Sequence, residues 1–111
     1  MGERKVAVLV KNLFTRVPVE AAVRAAGGQP VLVARPEDAC APDFVALVVD
    51  LTTGVEALHL APLVRDGVQV FAFAPHGEAE RLAQVRQVGG AALPRGAFLR
   101  KLPQLLAVVL S

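Results

Sequence analysis

The sequence predicts a three-layer α/β domain, with a five-stranded parallel sheet in the order 2-1-3-4-5 and helices on both faces. Three observations point to it. Val45 to Val49 is an unbroken apolar run, rich in valine, that ends at Asp50. A run that short and that continuous suits a strand buried on both faces of a parallel sheet. Similar short runs alternate with segments of helical period along the whole chain, and such alternation calls for right-handed crossovers between parallel strands. Finally, paired glycines at 27–28 and 89–90 stop two helical segments just ahead of the next apolar run. At 111 residues the chain is long enough for one domain, spanning 1–111, with its own core.

Val6 to Val10 forms the first strand. The basic residues before it faintly imitate a signal peptide, but Lys11 and Asn12 interrupt the apolar stretch and no small-residue cleavage site follows. Thr15 is placed to cap the first helix, with Pro18 in its first turn, where a missing N–H is tolerated. Val19, Ala22, Val23 and Ala26 then recur at helical spacing up to Gly27-Gly28. Pro30 to Ala34 reads as the second strand. Pro36 to Ala41 leaves room for little more than one turn of helix.

After the central strand, Thr52-Thr53-Gly54 makes a turn. Val55 to Arg65 is amphipathic, and Pro62 predicts a kink or a split into two short pieces. Asp66-Gly67 turns into Val68 to Phe73, the fourth strand, which Pro75 stops. Glu78 to Val88 is the most regular helix: Leu82, Val85 and Val88 share a face, while Glu78, Glu80, Arg81 and Arg86 are available to water. Ala91 to Leu93 is a short fifth strand. Phe98 to Leu110 supplies a last helix, restarted at Pro103.

Five strands at this length fit the flavodoxin-like arrangement, which brings the ends of the first and third strands together. Lys11 and Asn12 therefore belong beside Asp50 at the carboxyl edge of the sheet, where open α/β sheets place their ligands and chemistry. Composition narrows the function. A formal net charge of +2, without a basic run, Tyr or Trp, argues against a nucleic-acid surface. No apolar run approaches the roughly 18 residues of a membrane span. The single cysteine, Cys40, allows neither an internal disulfide nor a cysteine-based metal site. The expected location is the cytoplasm.

The layout resembles the receiver domain of bacterial two-component response regulators over nearly the whole chain. FVALVVD is similar to the family's strand ending in its phospho-accepting aspartate, which falls on Asp50. GGAALPRGAF resembles the stretch that leads through the fifth strand to the last helix, and the longer tail from Phe73 to Leu106 looks like that of divergent receiver-like proteins. The resemblance implies a signalling module that docks to proteins. It also implies a Mg²⁺ site made by the phospho-accepting aspartate and an acidic pair after the first strand, where the metal organises the incoming phosphoryl oxygens.

This chain departs from that pattern. Lys11 and Asn12 stand in place of the acidic pair, and Ala74 in place of the switch hydroxyl after the fourth strand. The family's lysine after the fifth strand falls on Gly96, or is imitated by Arg95 after a one-residue slip. A cation at Lys11 attracts the Asp50 carboxylate and repels Mg²⁺. The expectation is a degenerate, metal-free site without cofactor or catalytic set, in which Asp50 is ionised and bonded to Lys11 or to backbone N–H groups.

A phospho-accepting regulator and a small-anion or nucleotide binder at the sheet edge are the alternatives, and a local capping role for Asp50 is the plainest one. Thr52 and Thr53 offer hydroxyls to an anion, and His76 lies on the same edge without a partner for catalysis. His59 is read as structural. Neither glycine pair forms a phosphate loop or dinucleotide fingerprint. The expected partner is a protein or a second copy. Either would dock on the face built from the 78–88 helix, the fifth strand and the last helix, through Arg81, Arg86, Arg95, Arg100 and Lys101 around Phe98 and Leu99.

Overall fold

The computed structural model of the chain describes residues 4–111. Its central strand, β3 (Phe44–Asp50), is hydrogen-bonded on one side to β1 (Arg4–Leu9) and on the other to β4 (Gln69–Ala74). β2 (Gly28–Leu32) adds beyond β1, and β5 (Ala91–Pro94) beyond β4, so the order is β2-β1-β3-β4-β5 with every pairing parallel. The flavodoxin-like topology expected from the sequence is the one observed.

Residues 46 to 50 of β3 are all buried, and the period of two in the strands divides their side chains between two cores. Ala7, Leu9, Leu47, Val49, Val70, Ala72 and Ala92 face one layer, formed by α2 (Ala57–Arg65) and α3 (Ala79–Gln87) through Leu60, Leu63, Leu82 and Val85. Val6, Val8, Ala46, Val48, Phe71 and Phe73 face the other, formed by α1 (Leu13–Ala25) and α4 (Arg95–Leu110). There Val19 and Val23 come from α1, and Phe98, Leu102 and Leu106 from α4. Phe98 stacks on Phe73 with ring centroids 4.9 Å apart and planes inclined by 28°.

Several boundaries differ from the sequence reading, each for a local reason. The N-cap of α1 is Asn12, whose Oδ1 accepts the Phe14 N–H at 2.9 Å, and not Thr15, which is buried inside the helix. Asn12 caps well because its side chain takes the Phe14 N–H while its carbonyl accepts the N–H groups of Thr15 and Arg16. Pro18 consequently lies in the second turn, and the carbonyl it leaves without an intrahelical partner is that of Phe14, a residue 92% exposed. β2 starts at Gly28 rather than Pro30, since its register against β1 pairs Arg4 with Gly28.

Pro36–Ala39 makes a single 3₁₀ turn, as the spacing suggested. Pro62 does not split α2, and Pro103 does not restart α4; both helices run continuously through their prolines. α4 also begins three residues early, at Arg95, directly after β5. In each case the apolar face, Leu60 and Leu63 or Phe98, Leu102 and Leu106, is anchored on both sides of the proline.

Gly89 and Gly90 join α3 to β5 under steric constraint. Gly89 holds φ +99°, and a Cβ on Gly90 would fall 2.8 Å from Val85 Cγ1. The aromatic pair supplies a test of the α1–α4 layer. Phe98→Ala should lower stability in denaturant unfolding by about 3–5 kcal/mol. Phe14→Ala, on the open side of α1, should change it by no more than about 0.5 kcal/mol.

Candidate functional site

Because the strands are parallel, β1, β3, β4 and β5 all end at one edge, with Asp50 opposite Phe73 and Ala74 opposite Pro94. Asp50 is only 7% exposed, so its carboxylate needs partners on the protein. Its Oδ1 accepts the backbone N–H of Thr52 at 2.9 Å and the Thr52 hydroxyl at 2.8 Å. The Thr53 hydroxyl donates to the Asp50 carbonyl at 2.7 Å. Asp50 is thus the N-cap of a short 3₁₀ turn, Leu51–Thr53, which Gly54 closes at φ +88°.

Lys11 and Asn12 leave β1 at this edge as expected, and both are exposed. Among the described residues no ion pair within 4.0 Å joins Lys11 to Asp50. Of the two partners expected for Asp50, Lys11 or backbone N–H groups, it takes the second, the Thr52 N–H, together with the Thr52 hydroxyl, and the side chain of Asn12 is engaged in capping α1. Thr52 therefore works as a local donor to Asp50.

The remaining sequence candidates lie elsewhere. His76, in the loop after β4, and Arg95, the first residue of α4, border a separate cleft of about 370 Å³ with Arg100. His59 accepts the Glu56 N–H on Nδ1 at 3.0 Å and so closes the start of α2.

Arg81 and Arg86, read from the sequence as available to water, are half-buried and exposed respectively, and both also donate to backbone carbonyls. Arg81 Nη2 donates to the carbonyls of Leu51 at 2.8 Å and Val55 at 2.9 Å, clamping the loop that follows Asp50 onto α3. Arg86 donates to the Ala92 carbonyl from Nε at 3.1 Å and Nη2 at 2.7 Å, tying α3 to β5. The clamp bridges 30 residues of sequence, and no local pattern signals such a contact. Phe98 is likewise withdrawn from the surface, at 1% exposure.

The donor set does not fit a resident Mg²⁺. Among the described residues no three His, Cys, Asp or Glu side chains gather where they could hold a metal ion. One carboxylate, with a lysine and a capping asparagine in the connection after the neighbouring strand, offers too few anionic oxygens. No described helix is long and apolar enough to cross a membrane.

The fold is that of response-regulator receiver domains. A response regulator receiver domain protein from Clostridium thermocellum superposes with a TM-score of 0.77 at 9% identity, over 96% of this chain and 94% of its own. The ChxR receiver domain from Chlamydia trachomatis gives 0.70 at 11% identity, over 96% and 95%. The receiver domain of a sensor histidine kinase from Pseudomonas aeruginosa, in a structure with a magnesium ion coordinated in the active-site cleft, gives 0.63 at 20% identity, over 95% and 98%. No family profile matches the sequence, and neither does any curated protein. At these identities the likeness is one of fold.

The clamp can be tested by deletion. Arg81→Met removes both donors from carbonyls of buried residues and should lower stability by about 2–3 kcal/mol in chemical denaturation. Amide exchange should accelerate first at 51–55, the segment that the guanidinium holds.

Proposed function

We propose that the chain is a non-enzymatic signalling module that works by docking to another protein, a receiver-like domain whose Asp50 does not accept phosphate. The observation that supports this reading best is the state of Asp50. Its carboxylate is buried against Thr52 donors, and β1 brings Lys11 and Asn12 to the same edge in place of carboxylates. Phosphoryl transfer to such a group would require relief of charge at both the carboxylate and the incoming phosphate, which a divalent ion normally provides. Ala74 offers the product no hydroxyl, and the Thr52 hydroxyl already donates to Asp50. The proposed location is the cytoplasm.

The docking face we propose is made by α3, β5 and α4. With Arg81 and Arg86 bonded to backbone carbonyls and Phe98 buried, its unpaired rim among the described residues is Arg95, Arg100 and Lys101, around partly buried Leu99 and Leu105 and the largely exposed Val108. That pattern favours an acidic-surfaced protein partner over a second, equally basic copy. A partner captured through this face should bind at least tenfold more weakly to the double variant Lys101→Glu, Val108→Asp. Unchanged binding would move the interface elsewhere.

Asp50 has its own test. After incubation with acetyl phosphate and Mg²⁺, intact-mass spectrometry should show the unmodified chain only. A single phosphoryl adduct on the wild type, absent from Asp50→Asn, would establish the phospho-accepting alternative instead.

A further inference from the structure

The nine arginines of the chain divide unevenly between those with a partner and those without. Arg16 and Arg35 pair with Glu20 and Asp38. Arg4, Arg81 and Arg86 donate to backbone carbonyls. Among the described residues four make neither kind of contact, and two of these, Arg24 and Arg65, lie in the last turns of α1 and α2, where the negative end of the helix dipole favours a cation. The other two, Arg95 and Arg100, sit at the opposite end, in the first two turns of α4. No acidic residue is present in the first turn, and the N-cap, Pro94, has no side-chain acceptor. There the dipole opposes a cation at Arg95, in the first turn, and offers no support to Arg100 in the second.

Both arginines line the same cleft of about 370 Å³, together with Pro75, His76, Pro94, Gly96 and Ala97. The side chain of Arg100 folds back along the helix, as helical side chains do, until Nη1 lies 3.7 Å from where a Cβ on Gly96 would be. No carboxylate lines the cleft. Glu78 borders an adjoining cavity that shares His76 and Pro94. Two guanidinium groups, whose charge meets no carboxylate among the described residues, therefore border one open space together with an imidazole. Guanidinium donors match the oxygens of a phosphoryl group, which can take two parallel N–H bonds from each.

We propose that this cleft, and not the Asp50 edge, is an anion site for the phosphoryl group of a small phosphomonoester. Arg95 and Arg100 would grip the oxygens, and His76 would donate from the facing loop. The volume exceeds that of a bare phosphate ion, which leaves room for the organic part of the ligand against Pro75 and Pro94. This assignment is independent of whether Asp50 accepts phosphate.

The test uses the full chain with inorganic phosphate and ribose 5-phosphate as probes, each matched in ionic strength by chloride. A ligand that binds only the folded state raises its stability. At ten times the dissociation constant the melting temperature should climb by about 5 °C. The rise should vanish in Arg95→Gln, Arg100→Gln, persist in Arg24→Gln, and be larger for ribose 5-phosphate than for phosphate at equal concentration. Circular dichroism should show the double variant folded, and amide shifts at Gly96 and Ala97 should follow the titration in the wild type. An equal effect of chloride, a response retained by the double variant, or one abolished by Asp50→Asn would overturn the assignment. A phosphate response equal to that of ribose 5-phosphate would overturn the ester specificity and leave a site for free phosphate.

Discussion

The structure depends on β3 being enclosed on every side. Its backbone is hydrogen-bonded to β1 and β4, and its alternate side chains enter two different cores. Only a strand that is apolar at consecutive positions can occupy that place, because there is no wet face to receive a polar residue. Asp50 closes the run where the strand reaches the edge. Even there it is nearly buried, so its charge must be met at once by the turn that follows. The location of the polar site and the composition of the core are consequences of one constraint.

Two arginines of α3 brace the edge, one at long range and one across the turn to the next strand. Arg81 reaches from α3 to the loop after β3, and Arg86 reaches from the same helix to β5. Loops at a sheet edge expose carbonyls that have no ladder partner, and a buried carbonyl without one is costly. A guanidinium with several fixed donors satisfies two such acceptors at a time. The same chemistry leaves Arg81 half-buried, whereas Arg86 keeps an exposed side chain while it donates to β5.

Charge is partitioned along the edge. At the β1–β3 end a single carboxylate accepts two local hydrogen bonds on Oδ1, with Lys11 and Asn12 beyond it in solvent. At the β4–β5 end two arginines and a histidine gather without an anion of their own. The first end lacks the carboxylates that a divalent cation needs, and the second lacks the counter-charge that two guanidiniums ordinarily find. The receiver fold supplies the edge in both cases, and the residues on it set its chemistry.

The sequence by itself determined the sheet. Valine-rich runs, helical spacing and glycine pairs report local preference and two-sided burial, and these are properties of neighbours in the chain. They placed β3 at the centre and Asp50 at its end, and they brought Lys11 and Asn12 to the same edge. The sequence misjudged what depends on contacts at a distance. Asn12 rather than Thr15 caps α1, and Pro62 and Pro103 lie within continuous helices because packing on both sides of each proline outweighs one lost hydrogen bond. Which arginines are bound and which stand open was decided only in three dimensions. A guanidinium on a flexible stem can reach an acceptor 30 residues away, and nothing within its own helix records the choice.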